Sequence, residues 1–224
     1  FKDHHCALRG DGTVACWGKN SYGQLGDRTR DDRSELVVVE GVTGAKAIAV
    51  GRDFSCAVVA DGGVRCWGNH EDGQLGDGRG VEPGALSLTP VTVAGLSDVR
   101  QLVLGEYHAC ALAKGGQVSC WGNGADGQLG RTVKRADGTP RPAEDLARPT
   151  EFAAGASHTC ALAKGGAVRC WGRHTEGQLG SSVSGGRANH VGVDGLDDAK
   201  YLASGHTHAC AIRRGGEIAC WGDN

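Results

Sequence analysis

The sequence predicts an all-β fold assembled from about five repeated units, and three observations carry that prediction. The ten cysteines fall into five pairs with nine residues between the members of each: Cys6 and Cys16, Cys56 and Cys66, Cys110 and Cys120, Cys160 and Cys170, Cys210 and Cys220. A tryptophan follows the second cysteine of every pair, at Trp17, Trp67, Trp121, Trp171 and Trp221, and the chain has no others. First cysteines are 50, 54, 50 and 50 residues apart, a period that marks solenoids, propellers and arrays.

Each pair encloses a β-hairpin. Between Cys110 and Cys120 run Ala111-Leu112-Ala113, the turn Lys114-Gly115-Gly116, and Gln117-Val118-Ser119, which is strand, glycine-bearing turn and strand. Folding about Gly115 sets Ala113 opposite Gln117, Leu112 opposite Val118, Ala111 opposite Ser119 and Cys110 opposite Cys120. Directly opposed Cα atoms lie about 4.5–5.5 Å apart, within reach of a disulfide. Five such staples are expected, each stabilising by about 2–3 kcal/mol through loop closure. Alternation puts Cys110, Leu112, Val118 and Cys120 on one face and Ala111, Ser119 and Trp121 on the other. Both faces are therefore to be buried, with the tryptophan packing one sheet on its neighbour.

Copy one begins mid-unit with HHCALRGDGTVACWG and reaches Gly23-Gln24-Leu25-Gly26. A polar connector, 27–34, leads to Leu36–Val39, a turn across Gly41–Gly44, and Ala45–Val50. Copy two spans Ser55–Gly68 and Gly73–Gly76, followed by the connector Asp77–Thr89 and the strands Pro90–Val93 and Val99–Leu104. Copy three is Cys110–Gly130. Its connector, Arg131–Arg148, is charged and proline-bearing and is read as absorbing the strand that should precede Thr150–Ala153. Copy four is His158–Gly172 with Gly177–Gly180, then Ser181–Asn189, Val191–Val193 and Lys200–Ala203. Copy five is Ala209–Gly222. Four short strands per period, buried on both faces, match propeller blades packed radially. The expectation is a single domain, 1–224: a β-propeller, or an arc of one, of about five four-stranded blades with the first incomplete. Units fall near 1–35, 36–85, 86–140, 141–185 and 186–224. Whole blades are ordered connector strand, pre-glycine strand, first-cysteine strand, Trp strand.

Composition narrows the function classes. Lys and Arg total 24 against 26 Asp and Glu, a net charge of −2, which offers no field for a nucleic acid. The longest apolar runs, such as Leu36–Val39, fall far short of the roughly 20 residues that span a bilayer. An even cysteine count at regular spacing suits an oxidising compartment, so the expected location is secreted, periplasmic or cell surface. With no Met and no leader before Phe1, the chain reads as a processed or excised piece.

The combined pattern GxxHxCAL, glycine turn, CWG and GQLG, seen from Gly105 to Gly130, resembles the repeat of the regulator of chromosome condensation family. The resemblance covers essentially the whole chain. It implies a β-propeller, seven-bladed in the best-known members, serving as a protein-interaction platform. Functions in the family range from guanine-nucleotide exchange and chromatin docking to inhibition of secreted β-lactamases by related bacterial propellers. This chain departs from that pattern with about four and a half units and with its paired cysteines, which nuclear relatives are not expected to carry.

Other recurrent residues read as structural. His4, His108, His158 and His208 stand two before the first cysteine, with Phe54 in copy two. A ring of imidazoles is one route to a metal or small-ligand site, but copy two breaks the set and no carboxylate recurs beside it. A hydrogen bond where the strand begins is the preferred reading. Gly51, Gly105, Gly155 and Gly205 imply close backbone approach or a positive φ. GQLG lacks the Lys and Ser/Thr of a phosphate loop and is read as a turn. Asn20, His70, Gly124 and His174 are types that tolerate left-handed backbone. No catalytic constellation emerges, no cofactor is implied, and the chain is not expected to be an enzyme. The function expected is protein binding through non-repetitive loops, with Arg79, Glu82, Leu86, Arg135 and Arg141 as contact candidates. A purely structural segment of a large surface protein is the alternative.

Overall fold

The computed structural model describes residues 4–133, 135–144, 146, 148–183 and 185–224. They form eighteen strands in five antiparallel sheets, the blades. Blade one holds β1 (His4–Leu8), β2 (Val14–Gly18) and β3 (Arg33–Val38). Blade two holds β4 (Ala47–Val50), β5 (Phe54–Val58), β6 (Val64–Asn69) and β7 (Leu86–Thr92). Blade three holds β8 (Val99–Leu104), β9 (His108–Ala113), β10 (Val118–Asn123) and β11 (Ala136–Pro142). Blade four holds β12 (Glu151–Ala154), β13 (His158–Leu162), β14 (Val168–Arg173) and β15 (Arg187–Gly192). Blade five holds β16 (Ala199–Ser204), β17 (His208–Arg213) and β18 (Ile218–Gly222). Among the described residues no helix is long and apolar enough to cross a membrane.

The hairpin prediction holds residue by residue. Val118 faces Leu112, Ser119 faces Ala111 and Cys120 faces Cys110, and the other four hairpins share that register. All five disulfides form across it, with Cα–Cα separations of 4.0–4.1 Å.

Strand grouping differs from expectation. The connector strand pairs backward with the Trp strand of its own hairpin, as β6 with β7, and does not open the next blade. A glycine turn after a strand fits either a hairpin or a crossing between sheets. Burial decides: Val39, Val42 and Ala45 pack between blades one and two, so the segment is a crossing. Blades two to four are therefore whole, while blades one and five have three strands each. Arg131–Arg148 does not lose its strand, because β11 lies within it and pairs with β10 despite two prolines. Nor, in blades two to four, is the disulfide hairpin the outer half that the expected strand order makes it. It is the middle pair, with β4, β8, β12 and β16 packed against one another on the inner side.

Side-chain alternation then builds the core as four seams. The cysteine face of one blade meets the Trp and Ala face of the next. Cys56, Val58, Val64, Cys66 and Leu75 of blade two pack on Leu102, Ala109, Ala111 and Trp121 of blade three. The other seams repeat the arrangement. Trp67, Trp121 and Trp171 are fully buried in them, each removing about 150–250 Å² of aromatic side chain from water. Leu36 and Val38 are exposed on blade one, and Tyr201, Ile212 and Ile218 on blade five.

Candidate protein-interaction surface

The GQLG segment is a turn, as expected, and also the dock for the following blade. Within it the Gln side chain closes the loop: Gln74 Oε1 accepts from Asp72 N at 2.9 Å. Its backbone carbonyl faces outward, where the tryptophan of the next blade donates to it. Trp67 reaches Gln24 O at 2.8 Å, Trp121 reaches Gln74 O at 2.9 Å, Trp171 reaches Gln128 O at 2.9 Å and Trp221 reaches Gln178 O at 3.1 Å. The second glycine must be glycine. At Gly76, φ is +66° and a Cβ would lie 2.6 Å from the Trp121 ring nitrogen.

Asn20, His70 and His174 do not have left-handed backbone. Their side chains take the amide of the loop's leucine instead, with Leu25 N to Asn20 Oδ1 at 3.0 Å and Leu75 N to His70 Nδ1 at 3.2 Å. At Gly124 the space is filled by Val133, which a Cβ would meet at 2.2 Å.

Three of the repeated histidines, His4, His108 and His158, lie buried inside the seams, while His208 is exposed on blade five. His4 Nε2 stands 2.8 Å from Ser55 Oγ and His108 Nε2 stands 2.9 Å from Thr159 Oγ1, across to the next blade in both cases. Each hydroxyl gives its one proton to a Gln carbonyl, Ser55 to Gln24 O at 3.2 Å and Thr159 to Gln128 O at 3.1 Å. The imidazole Nε2 is thus the donor. The expected hydrogen bond is present at His4 and His108, though between blades, whereas neither ring nitrogen of His158 has a partner among the described residues. Burial pushes His4 down to about 4 and His108 to about 3, so both are neutral at pH 7. The seam glycines have no positive φ. Close approach is their role, since a Cβ on Gly105 would fall 2.1 Å from His108 Cε1. His4, His108 and His158 are held in separate seams and every cysteine is oxidised. Among the described residues no three His, Cys, Asp or Glu side chains converge as a metal site would need.

Loops that leave the inner strands and loops that carry GQLG share one face of the propeller, by strand alternation. The structure brings part of the predicted contact set together there. Arg79 pairs with Asp77, Arg135 Nη2 lies 3.5 Å from Asp72, and Gly78 N donates to Gly138 O at 3.1 Å, so the second and third connectors abut. Arg141 is exposed and pairs with Asp137 at 3.0 Å. Glu82 is exposed in a turn beside Glu71, and Leu86 serves mainly as the half-buried start of β7 opposite Asn69.

Sequence reasoning missed the residues nearest the axis. After each seam glycine come two residues that differ in every copy: Arg52-Asp53, Glu106-Tyr107, Ala156-Ser157 and His206-Thr207. They are joined blade to blade by backbone bonds, Arg52 N to Glu106 O at 3.3 Å, Glu106 N to Ala156 O at 3.1 Å and Ala156 N to His206 O at 2.9 Å. Arg52 Nη1 bonds Glu106 Oε1 at 2.9 Å, and its guanidinium lies 5.4 Å from the centre of the Tyr107 ring. Burial pushes the Tyr107 hydroxyl up, against the pull of Arg52, and Glu106, Asp53 and Tyr22 push the same way. Further round, Glu106, Ser157, Arg173, Glu176, His206 and Thr207 line a cleft of about 200 Å³. The available signal was variation at a fixed place in an otherwise uniform repeat.

This geometry has known counterparts. Profiles of the Regulator of chromosome condensation (RCC1) repeat match residues 2–24, 45–74, 99–128 and 150–178, and in a second form 61–112 and 115–162. The chain belongs to the RCC1 repeat family. Its RCC1 repeats are 30% identical over 147 residues to the human E3 ubiquitin-protein ligase HERC2, covering 64% of this chain and 3% of that protein. They are 42% identical over 60 residues to the Arabidopsis thaliana mitochondrial protein RUG3, 26% of this chain and 14% of that one. Among solved structures, Prp20p of Saccharomyces cerevisiae, described with its binding to Gsp1p and histones, superposes with a TM-score of 0.83 at 24% identity. That match covers 98% of this chain and 56% of Prp20p. Human WBSCR16 gives 0.81 at 25%, over 95% and 56%. The ectodomain of the Physcomitrella patens receptor kinase CR4 gives 0.63 at 21%, over 98% and 50%. The chain thus spans about half of the solved relatives and a small part of the curated ones.

Proposed function

We propose that this RCC1-repeat chain is a non-catalytic scaffold that holds a protein partner on the loop face, outside the reducing cytoplasm. One observation carries the reading: Arg52, Asp53, Glu106 and Tyr107, from two successive blades, meet in one half-buried cluster whose backbones are bonded blade to blade. Tyrosine and arginine anchors of this kind dominate protein interfaces, and here backbone bonds fix them in advance. Arg79 and Arg135 extend the same face outward as a charged rim. Unlike residues at a repeated position are what a specific surface requires, because like residues in a ring select nothing in particular. Five disulfides favour a secreted, periplasmic or cell-surface location, where they persist. Prp20p and the CR4 ectodomain support the reading by analogy of fold, the first as a protein binder and the second as an extracellular domain.

The test is cross-linking of the chain, used as bait, in an extracytoplasmic extract, with mapping of the linked residues. Links should fall on 52–53, 106–107, 79 and 135, and R52E or Y107A should lose the partner while keeping the wild-type unfolding curve. Replacement of residues 79–84 by a short Gly-Ser segment spares β7 and should weaken retention. Links on the hairpin turns around Gly63, Gly115 and Gly165, with R52E retaining the partner, would overturn it.

A further inference from the structure

Just after each GQLG segment the chain ties down one backbone amide, and the third copy departs from the others. Arg28 N donates to Leu88 O at 3.2 Å, Gly78 N to Gly138 O at 3.1 Å and Ser182 N to Asp194 Oδ2 at 2.8 Å. Thr132 N, at the same place in copy three, has no partner among the described residues. The first glycine of the segment is also less crowded there. A Cβ on Gly23 or Gly73 would fall 2.6 or 2.5 Å from the next blade's outer strand, whereas on Gly127 it would lie 3.4 Å from Asn189 Oδ1. A cavity of about 290 Å³ opens at this point, lined by Gly124, Gly127, Arg131 and Thr132 of blade three and by Arg187 and Asn189 of blade four.

The charge beside it is reversed as well. The residue after GQLG is Asp27 in copy one, Asp77 in copy two and Ser181 in copy four, but Arg131 in copy three. Arg131 is 7% exposed, the one Arg or Lys that is buried among the described residues. Its Nη1 donates to Cys120 O at 3.0 Å and to Arg141 O at 3.3 Å, and Nη2 meets Asp137 Oδ2 at 3.0 Å, while Nε is buried without a partner. Asp137 Oδ2 also takes Arg141 Nε at 3.0 Å, so one carboxylate answers two guanidiniums. On the opposite wall Arg187 bonds a carbonyl, Ala125 O at 2.8 Å, and pairs with no carboxylate among the described residues. None of the lining residues is acidic.

We propose that this cavity between blades three and four is a binding site for a small oxyanion, a carboxylate or phosphate group held by Arg131, Arg187 and the amide of Thr132.

A buried donor with no acceptor is costly, and one carried on a guanidinium is best met by an anion, because charge-assisted hydrogen bonds are the shortest and strongest. Arg131 keeps its proton at every physiological pH. Three other bonds already hold its side chain, so little ordering opposes capture. In copies one and two the residue after GQLG collects donors: Asp27 Oδ1 accepts from Asn20 Nδ2 and Thr29 N, both at 3.0 Å, and Asp77 stands 3.3 Å from His70 Nε2. In copy three the same position has become a donor, and Asp137, shared with Arg141, meets only part of its charge. The site has no residue in common with the Arg52 and Tyr107 cluster and does not depend on it. Its ligand chemistry is available from two sources, a free ion or an acidic side chain of a protein.

Titration of the isotope-labelled 224-residue chain with sodium phosphate at pH 7, exchanged against sodium chloride at constant ionic strength, tests this through amide shifts. Amides 127, 131, 132, 187 and 189 should move saturably while those of 47–58 stay in place. R187Q, at an exposed position, should weaken binding at least ~10-fold, the worth of one hydrogen bond to a charged group, and keep the wild-type unfolding curve. R214Q removes an arginine bonded in the same manner, to Gly165 O at 3.0 Å, and should leave binding as it is. A second arm uses N-acetyl-aspartate amide: tighter binding of phosphate identifies a free ion as the occupant, tighter binding of the amide an acidic side chain. Where R187Q does not fold, the wild-type shifts decide alone. Shifts spread evenly over the surface arginines, no saturation with either probe, or a folded R187Q that binds like R214Q would overturn the proposal.

Discussion

The seams and the loop face are made from the same repeat yet use it in opposite ways. Position for position the seams recur: disulfide, buried Leu, Trp on a Gln carbonyl, aromatic or imidazole ring over a glycine. Packing between blades allows few solutions, because a Cβ added at Gly76 or Gly105 would fall inside a neighbouring ring. Two residues away, Arg52, Glu106, Ala156 and His206 occupy equivalent places and share no chemistry. Their backbones are fixed by bonds from blade to blade, while the side chains of Arg52, Glu106 and His206 reach solvent, so the fold sets their positions and leaves their identities free. The repeat supplies stability, and its exceptions supply specificity.

Acid should break this contrast most strongly, because it acts on three seams together. His4, His108 and His158 are held at about 4, 3 and 4 in the folded chain, against about 6.5 when unfolded. The unfolded chain binds protons that the folded chain refuses, so stability is greatest above pH 6.5 and falls steadily toward pH 4. Urea midpoints measured across that range should decline, and a flat profile would remove the buried imidazoles from the account. W121A should come next, at about 3–5 kcal/mol, as expected for removing a fully buried aromatic. A loss below ~1 kcal/mol in urea unfolding would show that the seam relaxes around the gap. S55A should cost about 1–3 kcal/mol, because it strands the His4 donor and removes the bond to Gln24 O. The double variant with H4F should recover part of the loss, since Phe54 and Ala109 share one apolar cluster in the seam between blades two and three. R52A should change stability by no more than ~1 kcal/mol, the worth of a part-exposed ion pair, while lowering partner retention at least ~10-fold, the loss expected of an interface hot spot. An R52A chain that unfolds early and binds normally would reverse the division between seams and face.

The hairpins were legible because strand alternation and a nine-residue interval fix register locally, and every predicted pair from Ala111 with Ser119 to Cys110 with Cys120 is present. Of the candidate contacts, Arg79, Arg135 and Arg141 were legible as exposed connector charges, but Leu86 was not, since half-burial in β7 follows from pairing with Asn69. Arg52, Glu106 and Tyr107 were overlooked because the residues beside an invariant glycine read as its surroundings, and their convergence comes from different blades.

By itself the sequence determined the repeat, the hairpin register, the disulfide pairing and the class of fold, because each rests on contacts among residues close along the chain. Tertiary structure alone decided which sheet the connector strand joins, since Val39, Val42 and Ala45 read equally well as a hairpin or a crossing until a neighbouring blade buries them. It also decided that His4 and His108 bond across seams, that the GQLG carbonyl receives the next tryptophan, and that His158 is buried with no hydrogen-bond partner among the described residues. Those facts are relations between residues roughly one repeat apart, and no local pattern encodes which surface of one blade will meet which surface of the next.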